Sequence, residues 1–214
     1  TVHPLYDNRK EFDIFASMHT AKEVGGDFYD FYFIDEDHLA FLIADVSGKG
    51  IPAAMFMMRS KTIIKSYAES GMSVEEVFTL ANEKLCEGND AGMFVTAWMG
   101  ILNIRNGKVL FANAGHNHPL VKHSDGTFEY LKSRAGFVLA GAMDIFTWFS
   151  CSTGSSSTNE FISSTLLSRY SLPLCMFARV RAYGRPRPVP WLILPFTCSD
   201  GRWKKMLNIF SLSF

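Results

Sequence analysis

Apolar positions recur in short runs over the first 144 residues, and their period changes twice along the way. Residues 12–18 (FDIFASM) read as a strand. Residues 27–34 (DFYDFYFI) and 38–44 (HLAFLIA) are aromatic and aliphatic runs flanking the acidic turn Asp35-Glu36-Asp37, which predicts a hairpin. The period then lengthens. Residues 51–70 predict a helix that Ser47 can cap, with Pro52 in the first turn and Gly71 at the end. Residues 73–87 predict a second helix, opened by the capping box Ser73-Val74-Glu75-Glu76. Val74, Val77, Phe78, Ala81 and Leu85 share one face of it. Strands return at 94–104 and 108–114 around Asn106-Gly107, and at 118–123 and 127–131 around Asp125-Gly126. Strands, two adjacent helices, then more hairpins predict an α+β fold with antiparallel sheets rather than a doubly wound parallel one.

Beyond residue 144 the pattern dissolves, and composition changes with it. Residues 1–144 hold 19 acidic and 13 basic side chains, net −6; residues 145–214 hold two acidic and eight basic, net +6. The formal total of zero hides this split. The later segment also contains CSTGSSSTN and YGRPRPVP, which read as loop or linker. Two readings stand for it: a basic extension with its own role, or a stretch that is not the native continuation, as when a reading frame slips. We therefore divide the chain into a domain at 1–144 and an atypical Ser/Pro/Arg-rich tail at 145–214, and argue function from the former.

Charge and cysteine content narrow the classes. A neutral chain has no overall field to attract nucleic acid or anionic lipid. Arg179, Arg181, Arg185 and Arg187 lack the aromatic platform of a nucleic-acid surface. No apolar run reaches the ~18 residues a membrane-spanning helix requires, so no membrane insertion is expected. The first residues do not resemble a signal peptide, and the start at Thr1 suggests a segment of a longer protein. Cys86, Cys151, Cys175 and Cys198 form no CxxC pair, which argues against a thiolate zinc site and leaves a reducing, cytoplasmic setting as the expectation.

The candidate chemistry lies at the open end of the first hairpin. With the turn centred on Glu36, residue i falls opposite residue 72 − i, so Asp27 meets Asp45 on one face. Directly opposed Cβ atoms lie about 4.5–5.5 Å apart, where like charges are destabilising. A divalent cation would neutralise them, or one carboxyl could keep a proton. The bland alternative is a pair of strand-end caps splayed into water. Gly25-Gly26 before Asp27 permits close backbone approach, and Val46-Ser47-Gly48-Lys49-Gly50 leads from Asp45 into a helix start, a setting suited to phosphate.

Three separated segments carry a family resemblance: AKEVGGDFYDF (21–31), IADVSGKGIPAAMFM (43–57) and ANAGHNHPL (112–120). Together they resemble the SpoIIE/RsbU-type branch of the metal-dependent PPM (type 2C) serine/threonine protein phosphatases. The resemblance implies a β-sandwich of two antiparallel sheets flanked by helices (α-β-β-α), with its C-terminal part incomplete here. It implies two Mn²⁺ or Mg²⁺ ions bridged by water, with Asp27 and Asp45 as metal ligands and catalytic residues and the Val46 carbonyl as a further ligand. Metal-activated water would attack phosphorus directly. The implied substrate is a phosphoserine or phosphothreonine on an anti-anti-sigma-type STAS partner. A homodimer and a preceding sensor or receiver domain are compatible with it.

The chain departs from the family pattern late. A third ligand is expected in a Thr-Asp-Gly-like turn after an apolar strand, and Asp200 in Cys198-Ser199-Asp200-Gly201 follows WLILPFT. It comes some thirty residues late, and no Asp-Asp pair follows residue 144. The second metal site is therefore in question. The alternative function is a catalytically dead phosphatase-like module that docks a phosphoprotein. Other residues receive plainer readings. Gly48-Lys49-Gly50 lacks P-loop spacing, so Lys49 is an exposed loop residue or a weak phosphate contact. His116 and His118 are structural rather than ligands, and Asp30, Asp35 and Asp37 belong to turns and edges, with Asp30 opposite in facing to Asp27. Met55, Met57 and Met58 are expected to pack into the core.

Overall fold

The computed structural model describes residues 12–18, 24–122, 127–132, 136–142, 174–180 and 191–195. Strand β1 (Phe12–Met18) is followed by the hairpin β2 (Phe28–Phe33) and β3 (His38–Val46). Helices α1 (Ile51–Glu69) and α2 (Val74–Cys86) come next. Then follow β4 (Val95–Asn103), β5 (Val109–Ala114), β6 (Leu120–Lys122) and β7 (Phe128–Tyr130). Two later strands among the described residues are β8 (Leu174–Val180) and β9 (Trp191–Pro195), the latter being the WLILP run. No described helix is long and apolar enough to cross a membrane.

The strands form two sheets, β2-β3-β4-β5 and β1-β8-β9-β6-β7, with every neighbouring pair antiparallel. Period-two alternation along β3 decides how they stack. Leu39, Phe41 and Ile43 point to the other sheet and meet Phe12, Ile14, Trp98 and Phe111 in one core. Ala40, Leu42, Ala44 and Val46 point the opposite way, onto Ala53, Ile64, Val77, Phe78 and Leu85 of the helices. β3 is thus buried on both faces, which explains its uninterrupted apolar run. The result is a two-sheet α+β sandwich. Among the described residues both helices cover the four-stranded sheet.

The helix starts differ in how they are made. Ser73 caps α2 by the expected reciprocal box: its hydroxyl accepts from the Glu76 N–H at 3.3 Å, and the Ser73 N–H donates to Glu76 at 2.8 Å. The expected Ser47 cap on α1 does not form. The residue before α1 is Gly50, which supplies no side chain and adopts φ 76°, ψ −155°, a conformation open in practice to glycine. Ser47 is committed elsewhere: its hydroxyl accepts from the Phe94 N–H at 2.9 Å. Met55 and Met58 also depart from expectation. Only Met57 packs against the core, while Met55 and Met58 are 67% and 65% exposed. They sit on the helix face away from Ala53, Phe56, Ser60 and Ile64, so the 3.6-residue turn sends them outward.

Candidate active site

The hairpin register is the one its acidic turn predicts. Phe28 pairs with Ala44 and Phe33 with Leu39, so each pair of numbers sums to 72. Asp27 lies one residue before β2 and Asp45 one before the end of β3. Both extend the rows of side chains that face the second sheet. They therefore lie at the rim of the inter-sheet core, half-buried.

The two carboxyl groups share a hydrogen bond. A hydrogen bond between two carboxyls needs a proton on one of them. Burial pushes Asp45 up to about 8, reinforced by the Asp27 hydrogen bond and charge. Asp27 is also raised, by burial, with the Asp45 hydrogen bond acting against the rise. One proton is thus held between two oxygen-rich groups that cannot both ionise cheaply in a partly dry setting.

Backbone packing completes the surroundings. A β-carbon at Gly26 would lie 3.0 Å from the Val46 carbonyl oxygen and 3.4 Å from the Ala53 β-carbon. The glycine lets the Asp27 arm lie directly on the end of β3 and the first turn of α1. The loop between them is tied to β4 at Phe94, whose carbonyl accepts from the Ser47 N–H at 2.8 Å. Two carboxylates and a neighbouring backbone carbonyl are hard oxygen donors, suited to a cation such as Mg²⁺ or Mn²⁺ that keeps several waters. Among the described residues no group of three or more His, Cys, Asp or Glu side chains converges. Asp200 lies outside the described residues.

Sequence reasoning passed over the next member of this row. Thr96 on β4 lies directly across from Asp45, and its hydroxyl is 3.0 Å from His116 Nδ1. Asn113 holds the His116 backbone through bonds of 2.7 and 2.9 Å. Complete burial lowers His116 to about 3, so the ring is neutral. No local signal could have flagged Thr96, because two helices separate β3 from β4 in sequence. His116 thus takes the expected structural part. His118, half-buried beside Lys132, is lowered by desolvation and that positive charge. Lys49 is exposed. Asp30 lies 3.5 Å from Lys61 on the helix side of the sheet, Asp35 accepts from the Asp37 and His38 N–H groups at 2.8 Å, and Asp37 pairs with Arg105 at 2.6 Å. All three occupy the turn and edge positions expected of them.

Comparison with known proteins agrees with this architecture. The family model for stage II sporulation protein E (SpoIIE) matches residues 35–149, more than half of the chain. The chain belongs to the SpoIIE family. It is 35% identical over 133 residues to the phosphoserine phosphatase RsbU of Bacillus subtilis, covering 62% of this chain and 39% of that protein. It is 29% identical over 152 residues to protein IcfG of Synechocystis sp., covering 58% of this chain and 24% of that one. The matched segment is thus well under half the length of either relative. Among solved structures, the PP2C phosphatase domain of SpoIIE from B. subtilis, with a fragment of its regulatory domain, superposes with a TM-score of 0.56 at 15% identity. That match covers 78% of this chain and 45% of the other. The SpoIIE-family segment here therefore has the PP2C-like fold.

Proposed function

We propose that residues 1–144 form the catalytic part of a metal-dependent serine/threonine protein phosphatase, acting on a phosphorylated STAS-type signalling partner. One observation carries this reading: Asp27 and Asp45 converge, half-buried, at the open end of the β2–β3 hairpin, where burial raises both carboxyls above their ordinary range. Such a pair takes up a divalent cation by exchange for the proton it shares. Asp27 and Asp45 would hold the cation, with the Val46 carbonyl as a further oxygen. A bound Mn²⁺ or Mg²⁺ would supply an activated water for in-line attack on phosphorus. Once ionised, Asp27 and Asp45 would offer carboxylate oxygens that accept hydrogen bonds from a water held beside them. The α1 start carries no acidic residue in its first turn and no side-chain cap, which suits an anionic ester beside it.

A second ion would need a further carboxylate, for which Asp200 is the sequence candidate. The described residues bring only two carboxylates together, and that observation favours the other reading, a module that binds a phosphoprotein without cleaving it. Hydrolysis of a phosphoserine peptide by the full chain with Mn²⁺ decides between them. Turnover lost in Asp45→Asn supports the enzyme. Peptide binding with no turnover in the unaltered chain supports the module.

A further inference from the structure

Polar side chains buried in this sandwich are not scattered. Among the described residues five are buried, and three of them, Thr96, Asn113 and His116, form one connected group. Thr96 interrupts residues 95–102 of β4, which are otherwise apolar or glycine. Burying a hydroxyl and an imidazole costs more than burying apolar side chains of similar size. Holding the turn at His116 does not require them, because Asn113 already does so through its bonds of 2.7 and 2.9 Å to the His116 backbone.

The ladder register points to another use. Thr96 is the direct partner of Asp45 across β3 and β4, so their side chains share one face with β-carbons about 4.5–5.5 Å apart. A hydroxyl and a carboxylate span that separation with an ordinary hydrogen bond. β5 runs along the other side of β4, and His116, two residues beyond its end, places Nδ1 3.0 Å from the Thr96 hydroxyl. The ring also hydrogen-bonds the Thr96 backbone in the sense that favours a ring proton. A carbonyl only accepts, so the ring turns its proton towards Thr96. The hydroxyl then accepts from His116 and keeps its own proton to donate. Asp45 thus stands between Asp27, which shares its hydrogen bond, and Thr96.

We infer that Thr96, oriented by His116, is a positioning residue for Asp45: once that carboxylate is ionised to hold a cation, the Thr96 hydroxyl donates to one of its oxygens and fixes the direction of the other. The inference deepens the phosphatase reading and rests on it for the presence of the cation. The hydroxyl acts through Asp45 and is not itself a ligand. Outer hydrogen bonds of this kind orient ligating carboxylates, and losing one costs about 10–100-fold in metal affinity.

The test compares the full chain with its Thr96→Val, Thr96→Ala and Thr96→Ser variants. Loss of the free Mn²⁺ paramagnetic signal reads binding, the urea midpoint without metal reads the fold, and 4-nitrophenyl phosphate with Mn²⁺ reads the chemistry. Thr96→Val keeps the shape and removes the hydroxyl, and is expected to weaken Mn²⁺ binding by about tenfold or more. Thr96→Ala is the second hydroxyl-free variant, with the same expectation, should valine disturb the strand. Thr96→Ser keeps the hydroxyl and loses a methyl group. It should bind Mn²⁺ within about threefold of the unaltered chain, well short of the loss expected without the hydroxyl, even where its urea midpoint falls. Unchanged binding in the hydroxyl-free variants overturns the inference. So does a serine variant that binds as weakly as the alanine one, since lost packing would then be the cause. An unaltered chain that takes up no Mn²⁺ overturns it together with the metal site. The expected Mn²⁺ pattern in a chain that leaves 4-nitrophenyl phosphate intact sustains the positioning role and defeats the phosphatase reading. Turnover of that ester with Mn²⁺ binding indifferent to Thr96 does the reverse.

Discussion

Gly26 stands so close to Val46 that a β-carbon on it would come within 3.0 Å of both the Val46 carbonyl oxygen and the Val46 β-carbon. The contact joins the two arms of the carboxyl pair, because Asp27 follows one residue and Asp45 precedes the other. Space at that carbonyl is what a cation with oxygen ligands would use. Gly26→Ala would push the arms apart or fill the space. We expect Mn²⁺ affinity to fall about tenfold or more, equivalent to about 1.4 kcal/mol. Binding followed by the loss of the free Mn²⁺ paramagnetic signal checks this. Unchanged affinity would remove Val46 from the ligand set.

The shared proton makes stability depend on pH in a particular direction. Asp45 is raised in the folded state to about 8 from 3.8, and Asp27 is raised too. The folded chain therefore binds more protons than the unfolded chain between those values. Stability from this pair is fully present below about pH 4 and is lost as pH rises toward 8. The metal-free chain should thus show a falling urea midpoint between pH 5 and pH 8. Asp45→Asn removes the coupled titration and should flatten that slope. Added Mn²⁺ should restore stability most strongly at the alkaline end, where the proton it displaces is already leaving. A midpoint that rises with pH in the metal-free chain would contradict the shared proton.

Local rules reached far into this fold, and stopped where contacts became long-range. The acidic turn at Asp35–Asp37 sets the β2–β3 register by itself, so the Asp27–Asp45 meeting was legible from one stretch of chain. Ser73 and Glu76 likewise announce α2 within four residues. Ser47 misled because its hydroxyl is claimed by Phe94, 47 residues away. Thr96 was invisible for the same reason. Met55 and Met58 were misplaced because an apolar residue in a helix says nothing of which face is inward until the sheet beneath it is known. β8 and β9 join β1 and β6 across more than 50 residues, and no period in the sequence foretells such pairing.

Gly100 marks a place where the sandwich tolerates no side chain. It pairs with Phe41 across β3 and β4, and a β-carbon there would sit 2.8 Å from both the Phe41 ring and the Trp98 ring. Trp98 is fully buried, 5.5 Å from Phe41 and 5.3 Å from Phe111 between ring centres. These rings close over the glycine and fill the core between the sheets. In Gly100→Ala, either the rings leave their rotamers or the sheets separate, and overpacking of this kind costs about 1–3 kcal/mol. Gly100 lies four ladder steps from Thr96 and Asp45, away from the rim. The expected outcome is a lower urea midpoint with Mn²⁺ affinity unchanged, the opposite pattern to Gly26→Ala. Equilibrium unfolding and Mn²⁺ titration of the two variants side by side would separate packing of the core from construction of the site. If Gly100→Ala also lost Mn²⁺ affinity, the carboxyl pair would depend on the spacing of the sheets and not only on its own hairpin.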